Sequence, residues 1–216
     1  MYICLKLTIQ LLATPHENIR SPQGFKEYLQ QKISLTEDDW SVISAACTVK
    51  RLRKHQYLLQ EGEHWKYHAF VEEGCLRRYS IDKGGMEHII QFTPENWWTG
   101  DRKSLMEGTP TIYNIDAIEP STVILIRDED FQALCARIPV FNNLVNHILQ
   151  RSLNASEDRI QVAISMSAEE KYLHFITAFP QLNNRIPRHM LASFLGMTPE
   201  SLSRIRKKVS KSRENP

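Results

Sequence analysis

The residues best suited to do chemistry lie in Ile186–Val209 (IPRHMLASFLGMTPESLSRIRKKV). Met190, Leu191, Phe194 and Leu195 fall on one side of Arg188–Leu195, which predicts a short amphipathic helix. Gly196 supplies a sharp turn. Thr198 then caps a second helix, with Pro199 at its first position and Ser201 within capping reach. Leu202, Ile205 and Val209 form its buried side at offsets of three and four, which leaves Glu200, Ser201, Ser203, Arg204, Lys207 and Lys208 outside. Helix, glycine turn and a second helix with a polar, basic outer face is the helix-turn-helix arrangement. Arginine donates two parallel hydrogen bonds to the guanine edge in the major groove, and a carboxylate accepts from cytosine. Lysine and serine at the groove rim suit phosphate oxygens, which fix position without reading sequence. Arg188, Thr198, Glu200, Ser201, Ser203, Arg204, Lys207 and Lys208 are therefore the candidate residues for binding double-stranded DNA. The alternative is a helical hairpin in an effector-binding or protein-docking module that does not read DNA.

Charge distribution agrees with a polyanion partner. The 216 residues carry 27 basic and 25 acidic side chains, a net charge of only +2. Yet Arg185, Arg188, Arg204, Arg206, Lys207, Lys208, Lys211 and Arg213 stand against a single acid, Glu200, between residues 185 and 213, so the remainder is net acidic. A solvated charged tail would give the same tally. Cys4, Cys47, Cys75 and Cys135 are far apart and form no Cys-x-x-Cys pair, which argues against structural zinc or a clustered iron–sulfur ligand set. Isolated thiols of this kind fit a reducing, cytoplasmic setting. There is no glycine-rich phosphate loop, nucleophile elbow or His-Glu-x-x-His, so an enzyme is not expected. Asp128-Glu129-Asp130 is a carboxylate run that complements a helix start.

The elements that must carry this reader divide into four parts. Met1–Ala13 is apolar, but Lys6, Thr8 and Gln10 interrupt it and it is too short to cross a bilayer. Residues 1–24 are read as an N-terminal extension, and no membrane partner is expected. Apolar positions at helical spacing from Phe25 to Val49 predict two short helices, the second opened by Thr36-Glu37-Asp38-Asp39. From Arg51 to Ile126 short β-prone runs alternate with turn signals: Tyr57–Leu59, His68–Val71, Leu76–Ile81, His88–Phe92 and Ser121–Ile126. Such runs mean an antiparallel sandwich or roll. Thr99–Gly108 interrupts them as a short helix opened near Gly100-Asp101 and closed at Gly108, and a ligand cradle is one reason for such an insertion. After a helix over Asp128–Arg137, Pro139 opens a long helix to about Met166, with Phe141, Leu144, Val145, Ile148, Leu149, Leu153, Ile160 and Ile164 along a stripe. A stripe of that length suits pairing with a second copy, or packing on its own domain. Ser167 and Glu170 form a capping box that opens the next helix. The expected boundaries are a β-roll over 25–137, the long helix over 138–166 and a helix-turn-helix part over 167–216.

A β-roll with an inserted short helix, a long helix and a C-terminal helix-turn-helix resembles the catabolite-activator (Crp/Fnr) family of bacterial regulators. The resemblance covers roughly residues 25–210 and is strongest in LASFLGMTPESLSRIRKKV, which looks like the versions common in Bacteroidetes. It implies an α+β chain: a cyclic-nucleotide-binding-type antiparallel roll as sensor, a dimerisation helix and a winged helix-turn-helix. It also implies a homodimer on a palindromic site, with RNA polymerase as a further candidate partner. Glu200, Ser201 and Arg204 fall where family members touch bases and phosphates, and Lys207 at a backbone-contact position. Pro199 departs from the arginine of the best-studied members. The cradle departs further. Gly100-Asp101 resembles the family's Gly-Glu with a shorter acid, and about Thr111-Ile112 stands where its Arg-Ser pair grips the cyclic phosphate. Losing that arginine removes a charge-assisted, often bidentate grip, so cyclic AMP is disfavoured. Trp98, Gly100, Asp101, Arg102, Thr111 and Tyr113 are the candidate effector-pocket residues, with Arg102 or Lys103 as substitutes for the missing cation. Trp97, Trp98 and Tyr113 suit an apolar or aromatic effector; a pocket without an effector is the alternative. The family's iron–sulfur branch uses grouped N-terminal cysteines, which are missing here. Its haem branch needs histidine ligands, and His55, His64, His68, His88, His147, His174 and His189 are unmarked by context, so no metal, haem or cluster is expected.

Overall fold

The computed structural model describes residues 22–214, with side chains described up to residue 210. The N-terminal extension through residue 21 therefore lies outside the described residues, as do the side chains of Lys211 and Arg213. Two helices, α1 (Gln23–Gln30) and α2 (Glu37–Ala46), lead into strands β1 (Cys47–Leu52), β2 (Tyr57–Leu59), β3 (Tyr67–Glu73), β4 (Leu76–Ile81), β5 (Glu87–Thr93) and β6 (Trp98–Thr99). Helix α3 (Arg102–Glu107) follows, then β7 (Asn114–Ala117), β8 (Ser121–Arg127), α4 (Asp128–Arg137) and α5 (Pro139–Ser165). Helix α6 (Ala168–Ala178), a 3-10 turn (Pro180–Leu182), α7 (Arg188–Leu195) and α8 (Pro199–Glu214) complete the order.

The strands form two antiparallel four-stranded sheets, β1-β8-β3-β6 and β2-β7-β4-β5. Alternation along the strands builds three layers of core. Leu52, Leu59, Val71, Leu76, Ile115 and Val123 fill the space between the sheets. The opposite face of the first sheet offers Phe70, Ile124 and Ile126 to Phe25 and Leu29 of α1, Trp40 and Ile43 of α2, and Phe131 and Phe141 of α4 and α5. The outer face of the second sheet offers Tyr79, Ile89 and Phe92 to Tyr172, Phe175, Met190, Leu191 and Leu202 of the C-terminal helices. The C-terminal helices are thus seated on the roll.

That seam is also polar. Arg185 grips Glu95 through two bonds of 2.7 and 2.9 Å and also donates to Glu119. β5 is the edge of its sheet, and its exposed backbone is closed by side chains. Ser193 of α7 donates to Glu87 O (2.8 Å) and accepts from Ile89 N–H (3.1 Å), while Arg159 of α5 donates to Ile89 O (3.0 Å). Burial raises the Glu95 carboxyl, but the Arg185 bonds and other donors outweigh it and hold the group below its ordinary value of 4.5. A depressed carboxylate stabilises fully above its unfolded value, and that contribution is lost as pH falls through the folded one. Acid titration is therefore expected to loosen the seam below about pH 4.5. Fluorescence of Trp97, whose ring lies 5.9 Å from Phe179 across the seam, should report a step that Arg185→Ala abolishes.

Local signals behave as expected at the helix starts. Thr36 and Asp39 make a reciprocal capping box on α2, and Ser167 and Glu170 make another on α6. Two expectations need correction. The helical texture expected to run to Val49 ends at Ala46, because Cys47–Leu52 pairs residue for residue with Ile126–Ser121. The implied wing has no strand among the described residues after Ser167. Ile205–Glu214 contains neither glycine nor proline to break the helix, so α8 runs on where a hairpin would turn back.

Candidate nucleic-acid interface and sensor cradle

Helix α7 closes on Gly196, whose φ of +67° is the left-handed conformation that side chains resist. The Gly196 N–H donates to Ser193 O (3.1 Å) and the Met197 N–H to Ala192 O (3.0 Å), which satisfies the last carbonyls and aims the chain into α8. Thr198 Oγ1 accepts from Ser201 N–H at 3.2 Å, so its hydroxyl is committed to capping and positions α8. Leu202 and Val209 are buried against α6 and α7, with Ile205 beside them. This anchors one face of α8 and turns Glu200, Arg204, Lys207 and Lys208 to solvent. Arg204 leans back on Ser201 Oγ (3.3 Å). The Glu200 carboxyl is held low by its own backbone N–H, then by Thr198 and the Arg204 charge. Arg188, Ser203, Arg206, Lys207 and Ser210 line one groove between the start of α7 and the middle of α8. Arg206, which by sequence is one more charge of the basic tail, joins this groove because the packing of Leu202 sets its side of α8. Lys208 pairs with Glu169 of α6 at 2.6 Å, which draws it to the flank.

In the roll, Asp101 and Thr111 come together. Asp101 Oδ1 accepts from the N–H groups of Lys103 and Ser104, and its Oδ2 accepts from Thr111 Oγ1 at 2.6 Å. Gly100 sits at φ +144°, and a Cβ there would lie 2.5 Å from Trp65 Nε1, so only glycine fits. The acid that resembles a ribose ligand is spent on capping α3 and holding the loop after it. Asp101→Ala is expected to uncap α3 and orphan the buried Thr111 hydroxyl, at a cost of about 1–3 kcal/mol by denaturant unfolding.

The other candidates separate. Trp98 is on the far side of the first sheet, its ring 5.7 Å from Phe25, 5.3 Å from Phe70 and 5.8 Å from Phe131, because the pleat sends alternate residues of β6 to opposite faces. Trp97 packs on Phe179, so the expected cluster of three aromatics is not formed. Arg102 and Lys103 are exposed on α3, with Arg102 Nε against Met106 Sδ at 3.4 Å and Lys103 4.0 Å from Glu107. Of the candidates Trp98 and Tyr113, Tyr113 meets a cation, Arg78, at 5.2 Å.

The dimer-forming candidate is α5, 27 residues and about 40 Å long. Its first half is buried through Phe141 and Leu144. Its second half presents Leu153, Ile160 and Ile164 to solvent, at 60%, 59% and 80% exposure.

Residues 49–138 match the cyclic nucleotide-binding domain. In sequence the chain is 24% identical over 180 residues to the regulatory protein HlyX of Actinobacillus pleuropneumoniae, covering 76% of this chain and 72% of that one. In structure it is similar to FixK2 from Bradyrhizobium japonicum, with a TM-score of 0.68, 18% identity, and coverage of 77% of this chain and 85% of FixK2. The catabolite activator protein of Thermus thermophilus matches with a TM-score of 0.52 and 19% identity over 86% of this chain and 87% of that one. The fold is the Crp/Fnr fold, and these findings together support a Crp/Fnr family regulator. Among the described residues no helix is long and apolar enough to cross a membrane.

Proposed function

We propose that this chain acts as a cytoplasmic, homodimeric transcription regulator, of the branch common in Bacteroidetes, that reads a palindromic DNA site with α8 and performs no catalysis. The observation that carries it is the division of α8: Leu202 and Val209 buried, with Glu200, Arg204 and Lys207 outward beside the groove of Arg188 and Arg206. In this reading residues 25–137 sense an effector, 138–166 form the dimer and 167–216 read DNA. Two copies of α5 pair along Leu153, Ile160 and Ile164 and set two α8 helices about 34 Å apart, one per major-groove face. Arg204 and Glu200 face base edges; Arg188, Ser203, Lys207 and Lys208 hold phosphates. An effector shifts helix spacing by binding one arrangement better than the other. RNA polymerase is the partner that would turn binding into transcription.

The test is selection of DNA from a random pool with the full-length protein at near-physiological salt, because basic surfaces bind any DNA when ions are scarce. An enriched palindrome is the expected result. No enrichment, with or without cell extract, would favour a docking module.

A further inference from the structure

Two neighbouring arginines of β4 have opposite fates. Arg77 points outward and is saturated: Nε and Nη2 grip Asp116 at 2.7 and 3.0 Å, and Nη1 meets Glu87. Arg78 points into the roll and makes no ion pair among the described residues, although the buried Asp101 carboxylate acts on it through its charge. Its Nη1 donates to Gly100 O (2.8 Å), its guanidinium lies over Tyr113, and its buried Nε has no partner. Beside Gly100, the buried hydroxyl of Thr99 is also without a partner. It lies on the opposite face of β6 from Trp98, toward the interior of the roll.

A second unpaired cation stands close by. β5 bulges opposite Arg78, which pairs with Gln91 while Tyr79 pairs with Ile89. Arg159 of α5 bonds the Ile89 carbonyl at that bulge and lies 4.3 Å over Phe194 of α7. No carboxylate within ion-pairing distance accompanies it among the described residues. Burial, then the charge of Arg78, bring its guanidinium down to about 10. Burial likewise lowers Arg78, against the opposing charges of Tyr113 and Asp101. Two half-buried cations that repel each other are costly unless a counter-charge joins them.

We propose that the mouth of the roll at the β5 bulge binds a small dianion between Arg78 and Arg159, with Arg78 Nε and Thr99 Oγ1 as its hydrogen-bonding groups. This rests on the roll being a sensor and specifies the chemistry of what it senses. A cyclic phosphodiester carries one negative charge, whereas two unpaired guanidiniums match two. The site is carried by β4, β6 and α5, whereas the resemblance places the cyclic-phosphate grip at Thr111-Ile112. A phosphoryl dianion and a short dicarboxylate share the required chemistry. Because Arg159 also touches Phe194, the ligand would tie β4 and α5 to the helix that opens the DNA-reading pair.

Thermal unfolding of the full-length protein near pH 7.5, followed by circular dichroism without DNA, tests this with inorganic phosphate and succinate as probes. Each is compared with sodium chloride at equal ionic strength. At a hundredfold excess over Kd, at least one anion should raise Tm saturably by about 5–10 °C. A phosphate-only or succinate-only response identifies the source. Arg78→Gln and Arg159→Gln should each weaken the response by about tenfold or more. If Arg78→Gln does not fold by its spectrum, Arg159→Gln decides. The proposal is overturned if neither anion gives a saturable shift, or if the shift survives both substitutions. It is also overturned if Arg188→Gln removes the shift, since the ion then sits on the DNA-facing groove. With DNA left out, failure here leaves the selected palindrome standing; anion binding without an enriched palindrome sinks the regulator instead.

Discussion

Ile160→Glu should leave a folded monomer that binds its palindrome about 10²–10⁴-fold more weakly than the parent protein. Ile160 is largely solvent-exposed in a single chain, so the substitution removes little from the chain's own core. In a pair of α5 helices it would set two carboxylates into a seam of Leu153, Ile160 and Ile164, seven and four residues apart, and burying such charges costs several kcal/mol. Losing the pair removes bivalent binding, because the second α8 no longer starts at high effective concentration beside its half-site. Light scattering gives the mass, and fluorescence anisotropy on full and half palindromes gives the affinities. A variant that stays dimeric, or a parent protein that is monomeric on DNA, would remove α5 as the dimer element.

The second large effect is on sequence preference. Arg204→Ala should cost about 1–3 kcal/mol per half-site on the selected sequence and leave binding to random DNA nearly unchanged. Arg204 is exposed and leans on Ser201 through a long 3.3 Å hydrogen bond, so truncation should barely disturb the fold. Lys207→Ala should behave differently. It should weaken all sequences alike and lower the salt dependence by about one counterion per half-site. Titrations on selected and scrambled duplexes at several salt concentrations separate the two. An unchanged ratio of specific to random affinity in Arg204→Ala would show that Arg204 does not read bases.

Much of the scaffold was legible because its signals are local. Thr36, Ser167 and Thr198 cap helices with hydroxyls that reach only a few residues ahead, and Gly196 turns the chain through its own φ. Asp101 and Gly108 bracket α3 for the same reason. The run Leu76–Ile81 is strand in both expectation and structure. β1, β6 and β7 were not foreseen; Thr99, expected to open the helical insertion, instead closes β6 against β3. Cys47–Leu52 continues from a helical texture and Asn114–Ala117 is short, so the first is a strand only because β8 lies beside it and the second because β2 and β4 flank it.

By itself the sequence determined the order of helices and most strands, the caps that bound them, and a basic outer face on the last helix. These depend on spacing and on backbone chemistry within one or two turns. Only the tertiary structure decided that Trp98 belongs to the outer aromatic cluster, that Asp101 is spent on Thr111, and that Arg77 is paired with Asp116 while Arg78 is not. It alone brought Arg159 to β5 and Arg185 to Glu95, across 70 and 90 residues. Burial and counter-charge depend on which distant segments become neighbours, and sheet register sets that.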